Sequence, residues 1–185
     1  LDYTVTGQAD GEVYLDEKTL TLPLRWRKPR KVFVGSMTDI FGEWVTDEML
    51  DRVFAVMALT PQHTYQVLTK RPERMREYLA QRDRAEAIGW SAHGIYEDHG
   101  GAYSIASQMI NGGPCSLSDP LDYWPLPNVW LGVSVENQQA ADERIPLLLA
   151  TPAEVRFLSC EPLLGRTDLT EIRRSDGWLI DALRG

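Results

Sequence analysis

The sequence is poor in cysteine and lacks a long apolar run, a glycine-rich phosphate loop and a basic-then-apolar N-terminal segment. A membrane span needs ~20 apolar residues and a secretory signal needs a charged and then an apolar region, so we expect a cytoplasmic protein without a membrane partner. Cys115 and Cys160 are too few for a disulfide framework, and their spacing matches no zinc site. Without a phosphate loop or a nucleophile elbow, the sequence does not favour an ordinary α/β hydrolase or transferase.

Acidic residues outnumber basic ones, 27 to 19, and give the 185 residues a net charge of −8. This balance argues against non-specific nucleic-acid binding over the whole surface. One local segment is basic and also holds Trp26; its cations are Arg25, Arg27, Lys28, Arg30 and Lys31. It is either a solvated edge that leads into a strand or a phosphate-contacting surface, with Arg25, Arg27 and Lys28 as the nucleic-acid candidates.

Four short apolar β-runs recur along the chain and alternate with helical patterns. They are residues 32–37 (VFVGSM), 65–69 (YQVLT), 129–135 (VWLGVSV) and 155–160 (VRFLSC). Such alternation predicts an α/β fold with a parallel sheet. The pattern fits either an open doubly wound sheet or an arc of a partial TIM barrel. Thr46 or Asp47 is expected to cap the first helix, and Pro146 to kink or end the third.

Two regions depart from this rhythm. Residues 1–31 are expected to be mostly irregular, with a short extended piece over 20–24. Residues 82–127 are rich in glycine and proline and are interpreted as an insertion between repeat units, with a weak helix over 103–110. We treat 1–185 as one α/β domain of a longer protein, because the sequence begins at Leu1 without an initiator methionine.

Polar residues follow each strand and indicate where a site lies. Ligands of α/β sheets and barrels bind at the carboxyl ends of the strands. Side chains alternate along a strand, so Ser134 and Glu136 reach the same side and can bind a ribose diol, while Arg144 can bind a carboxylate. For two of these acids the alternative to ligand binding is a structural role. Glu136 can be an acid that stabilises a helix N-terminus, and Glu161 can cap the 160–164 turn.

The segment Ser134-x-Glu136, followed by Asp142-Glu143-Arg144, resembles the fourth-strand segment of radical S-adenosylmethionine (SAM) enzymes. A wider resemblance is to an uncharacterised phage and prophage family that is described as radical-SAM-like and as having a partial TIM barrel. It is carried by residues 22–30 (LPLRWRKPR), 36–41 (SMTDIF), 61–75 (PQHTYQVLTKRPERM), 128–137 (NVWLGVSVEN) and 156–165 (RFLSCEPLLG). That family's N-terminal cysteine motif and its later Gly-Gly-Glu-Ser-Gly segment do not occur in this sequence.

The resemblance implies SAM and a [4Fe–4S] cluster as cofactors of the intact protein. It implies SAM contacts from Ser36, Asp39, Ser134, Glu136, Arg144 and Glu161, and substrate contacts from Lys70 and Arg71. The cluster needs three cysteine thiolates, which two cysteines do not supply, so neither cofactor is supported by this chain alone and it is not expected to cleave SAM. The implied function is radical modification of a nucleotide or nucleic-acid base; the alternative is a non-catalytic domain that binds a nucleotide or a partner.

Overall fold

The fold is built on a parallel sheet, as the strand and helix pattern predicts. A computed structural model describes residues 2–3, 6–9, 12–35, 38–98 and 124–183. Its main sheet has five strands, which lie side by side in chain order and are all parallel. They are β1 (Asp2–Tyr3), β4 (Lys31–Val34), β5 (Thr64–Thr69), β6 (Val129–Ser134) and β7 (Val155–Ser159). The last four match the predicted β-runs, and β1 is a further strand that the sequence analysis did not predict.

Three helices with clear start signals follow β4, β5 and β6. They are α2 (Asp47–Leu59), α3 (Pro72–Leu79) and α5 (Gln138–Leu149). The Thr46 hydroxyl accepts from the N–H of Met49 at 3.3 Å, as the capping prediction requires. Pro72 occupies the first turn of α3, where its missing N–H costs no hydrogen bond.

The sheet has one covered and one open face. On the covered face, alternate residues such as Val32, Val34, Tyr65 and Val67 are buried against the helices. Because the strand order never reverses, right-handed crossovers place the connecting helices on this one face. The opposite face carries partly exposed side chains at the intervening positions, among them Phe33, Gln66, Trp130 and Phe157.

The N-terminal region is more ordered than the sequence analysis predicted. Strands β2 (Thr6–Ala9) and β3 (Glu12–Leu15) form an antiparallel hairpin. The expected extended piece over 20–24 is wrong: the chain forms helix α1 (Glu17–Leu20) and then a 3₁₀-helix (Leu22–Arg25). The Asp16 carboxylate caps α1 by accepting from the N–H groups of Lys18 and Thr19 at 3.1 and 3.3 Å, and this cap starts the helix.

Part of the glycine-rich 82–127 segment is helical. Helix α4 (Arg84–Asp98) packs against α2. A Cβ added at Gly94 within this helix would meet no atom within 4 Å apart from its chain neighbours and the helix's own backbone. The predicted helix over 103–110 lies outside the described residues. Pro146 was expected to kink or end its helix; it does not end it, because α5 continues to Leu149 with Ile145 and Leu148 buried on either side of the proline. The kink stays a prediction. A second antiparallel pair, β8 (Ile172–Arg173) and β9 (Leu179–Ile180), follows the main sheet.

Candidate functional site

The candidate site lies where the carboxyl ends of β4, β5 and β6 meet. After β4 the backbone turns at Gly35, which has a φ of +80°. A Cβ at this position would lie 2.4 Å from the carbonyl oxygen of Thr38, so only glycine fits the turn. The turn brings the following loop back over the sheet edge and places Asp39 beside the end of β5.

The Asp39 carboxylate is the centre of a hydrogen-bond network between the β4 loop and β5. The Thr69 hydroxyl lies 2.9 Å from both carboxylate oxygens. The backbone N–H groups of Phe41 and Lys70 donate to it at 3.0 and 3.1 Å, and the Arg71 guanidinium does so at 3.1 Å. These donors hold Asp39 in a fixed position as a hydrogen-bond acceptor.

A second carboxylate, Glu136, is held at the end of β6. Arg144 reaches back from α5 and donates at 2.8 Å both to Glu136 and to the backbone carbonyl of Ser134. The Lys70 ammonium lies 3.4 Å from the other oxygen of Glu136. Burial alone would raise the pKa of Glu136, but the Arg144 hydrogen bond and the charges of Arg144 and Lys70 outweigh it and lower this pKa below its ordinary value.

Three cations and two carboxylates form ion pairs at this edge. We call the edge the rim and define it by Asp39, Thr69, Lys70, Arg71, Ser134, Glu136 and Arg144. The Lys70 side chain is 60% exposed and that of Arg71 is 37% exposed, so both can still contact a ligand. The Arg71 guanidinium also lies over the Trp44 ring, 5.1 Å from its centroid, which fixes its position.

Two open cavities adjoin the rim. One, of about 330 Å³, is lined by residues that include Asp39, Lys70, Arg71 and Ser134. The other, of about 600 Å³, lies over the end of β7 and is lined by residues that include Phe157, Cys160, Glu161 and Leu163. Phe33 lines both cavities, so an apolar surface lies between the charged rim and the β7 end.

Most of the predicted site residues lie around this edge. Asp39, Lys70, Arg71 and Ser134 share the smaller cavity, and Glu136 and Arg144 join them through the contact with Lys70. Glu161 lines the neighbouring cavity and is exposed. Ser36 lies outside the described residues.

The three nucleic-acid candidates lie elsewhere. Arg25, Arg27 and Lys28 precede β4 and are therefore at the amino-terminal edge of the sheet. The strands are parallel, so the rim is at the opposite edge. The predicted nucleic-acid contacts and the predicted cofactor contacts do not form one site.

Four residues of the site were not singled out from the sequence: Thr69, Trp44, Phe33 and Phe157. The signal for Phe33 was the alternation of its strand, because Phe33 lies between buried Val32 and Val34. Strand β7 shows no such alternation, so it provided no comparable signal for Phe157. Thr69 ends β5 directly before Lys70 and Arg71, which was a signal for a contact at the rim. Nothing in the local sequence paired Trp44 with Arg71.

This chain has fewer cysteine thiolates than an iron–sulfur cluster requires. Within the described ranges no three His, Cys, Asp or Glu residues are placed to hold a metal ion. Cys160 is partly buried at the end of β7, and Cys115 lies outside the described residues. A [4Fe–4S] cluster of the SAM-cleaving type takes three thiolates, so the residues of this chain do not fit that group.

Fold and site together define an α/β protein whose parallel sheet carries a charged, hydrogen-bonded site at the carboxyl ends of its strands. The sequence matches the DUF5131 family, described as a protein of unknown function, over residues 2–181, and the chain belongs to this family. Neither a curated protein nor a solved structure matched the chain. In the parts of the chain that the structure describes, every helix is too short or too polar to cross a membrane.

Proposed function

We propose that the rim binds a nucleotide-type small molecule, with SAM as the first ligand to test. The observation that carries this proposal is a cavity of about 330 Å³ lined by two cations, Lys70 and Arg71, which stay exposed after pairing with Glu136 and Asp39. A carboxylate or phosphate is the group that such cations recognise. The cavity is within the size range of small-molecule sites.

The surroundings supply the other contacts that a nucleoside needs. Ser134 lines the same cavity and offers a hydroxyl at the position where the sequence predicts a ribose contact. Phe33 provides an apolar surface between the two cavities, against which a heterocyclic base can pack. An anionic group at Lys70 and a base near Phe33 together describe a nucleotide or SAM better than a simple anion.

The resemblance to radical-SAM-like phage proteins gives this site a catalytic interpretation. On that interpretation the sheet is an arc of a partial barrel, and the intact cytoplasmic protein modifies a nucleotide or a nucleic-acid base. The unreversed strand order supports an arc over a doubly wound sheet, in which the order reverses. The thiolates of the cluster would have to come from outside this chain, so no step of the reaction is assigned to its residues.

The second candidate function is non-catalytic binding of a nucleotide or a partner. The observation that favours it is that this chain has the charged rim but not the three cysteines that an iron–sulfur cluster needs. The two candidates differ in ligand preference: SAM should bind more tightly than AMP in the first and less tightly in the second.

Calorimetric titration of the purified chain with SAM, AMP and adenosine tests the proposal. Lys70→Ala should weaken the binding of SAM or AMP about tenfold or more, because a hydrogen bond to a charged group contributes about 1.5–3 kcal/mol. Adenosine has no anionic group and should bind the wild type and Lys70→Ala equally.

Arg76→Ala is the matched control, since Arg76 is exposed on α3 and has no ion pair within the described residues. It should leave all three affinities unchanged. The proposal is wrong if none of the three ligands binds at millimolar concentration, or if Lys70→Ala changes the binding of adenosine as much as that of AMP.

A further inference from the structure

The amino-terminal edge of the sheet carries a concentrated and exposed positive charge. Five of the chain's 19 basic residues lie within residues 25–31, and none of its 27 acidic residues does. All five are exposed: Arg25, Arg27, Lys28, Arg30 and Lys31. Within the part of the chain that the structure describes, none of them forms an ion pair, so their charge is not neutralised by the protein.

Two of these cations are fixed by aromatic rings. The Arg30 guanidinium lies 4.7 Å from the centroid of the Trp26 ring, and the Lys31 ammonium lies 5.5 Å from that of Trp130. Trp26 is itself held by an edge contact with buried His63, at a centroid distance of 5.5 Å. A cation held on a ring loses less conformational entropy on binding than a free side chain does.

The neighbouring loops do not oppose this charge. The segments that precede β4, β5 and β6, residues 26–30, 60–63 and 124–128, contain no aspartate or glutamate. They all lie at the same edge because the three strands are parallel. Exposed Glu154 precedes β7 at the same edge, so the positive potential is concentrated at the β4 end of this edge.

We propose that this surface, which we call the basic edge, binds the phosphate backbone of nucleic acid without reading its sequence. Exposed Arg and Lys side chains without acidic partners are the groups that make phosphate contacts. Trp26 is already contacted by Arg30 and His63, so base stacking on this ring is not part of the proposal. The basic edge is a separate surface from the rim, so this proposal stands or fails independently of the proposed function.

The size of the surface limits the strength of binding. Seven residues span at most about 25 Å, and five cations can displace at most five counterions. On single strands the logarithm of the association constant should therefore fall with the logarithm of salt concentration with a slope of about −3.5 at most. We expect measurable binding at 20 mM salt and weak binding at 200 mM.

The test is fluorescence anisotropy with a labelled single-stranded oligothymidylate of 20 nucleotides, titrated with the full chain at several salt concentrations. The triple variant Arg25→Gln/Arg27→Gln/Lys28→Gln should lower the affinity at least tenfold in 20 mM salt and reduce the steepness of the salt dependence by about two. The control Arg76→Gln/Arg82→Gln/Arg173→Gln removes three exposed cations from other surfaces and should change neither quantity. Circular dichroism checks that both variants are folded.

Four results would overturn the proposal. They are no binding at 20 mM salt, an equal loss in the control variant, a slope much steeper than −3.5, and a preference for vesicles containing 30% phosphatidylserine over the oligonucleotide. The last result would identify an anionic membrane as the partner.

Discussion

Gly132→Ala tests the close packing between β6 and β7 beside the candidate site. A Cβ built on Gly132 would lie 2.5–2.6 Å from three atoms of the Phe157 ring. Carbon atoms in favourable contact are about 3.5–4.0 Å apart, so the ring must move by about 1 Å. Overpacking of this kind costs about 1–3 kcal/mol. We expect the low end of that range, because Phe157 is only partly buried and borders an open cavity.

Urea unfolding measures the effect, and two further variants make the result specific. In a Phe157→Ala background the clash is gone, and Gly132→Ala should become neutral or slightly stabilising, giving a coupling energy of about 1 kcal/mol or more. Gly94→Ala in α4 meets nothing within 4 Å and should stabilise by about 0.4–1 kcal/mol, because alanine restricts the unfolded chain. If Gly132→Ala stabilised the protein as Gly94→Ala does, the contact with Phe157 would not exist as described.

Two further predictions concern charged groups. Arg84→Met should destabilise the protein by about 3–5 kcal/mol in urea unfolding, because the Arg84 side chain is 5% exposed and pairs with Asp47 and Asp51 at 2.7 and 2.6 Å. The control Arg82→Met, which replaces an exposed neighbour, should change the free energy of unfolding by no more than about 0.5 kcal/mol. Equal effects of the two variants would refute the role of the buried ion pairs. Glu136→Gln should be less stable than the wild type at pH 7, and the difference should shrink as the pH falls from 6 to 3. The folded state lowers the pKa of Glu136 below its ordinary 4.5. The stabilisation that ionised Glu136 gives the folded state is therefore complete above pH 4.5 and is lost as the pH falls through the folded pKa. A stability difference between Glu136→Gln and the wild type that grows in acid would contradict this prediction.

The parallel core could be predicted because its strands and helices carry local signals. Alternation in β5 and the Thr46 cap of α2 specify those elements without distant contacts. Helix α4 could not be predicted in the same way, because glycines interrupt its pattern and its position depends on a distant ion-pair cluster. Arg84 at its first turn reaches Asp47 and Asp51 on α2, 37 and 33 residues away in sequence.

The candidate site was predictable in part for the same reason. Asp39, Lys70 and Glu136 directly follow β-runs, and parallel strands bring such positions to one edge. Which side chains form hydrogen bonds with each other at that edge depends on their three-dimensional geometry, and the spacing of residues in the sequence does not reveal it. Thr69, for example, ends β5 and lies 2.9 Å from both Asp39 oxygens because the Gly35 turn returns the β4 loop to the sheet.

The separation of the rim from the basic edge follows from the length of the strands between them. β5 has six residues, which at about 3.3 Å per residue span about 20 Å. The Debye length at physiological salt is about 8 Å, so a ligand charge at one edge is largely screened at the other. A nucleic acid held at the basic edge therefore does not compete electrostatically with an anionic ligand at the rim. A small molecule with a carboxylate or phosphate group, rather than the same nucleic-acid backbone, is therefore the partner proposed for Lys70 and Arg71.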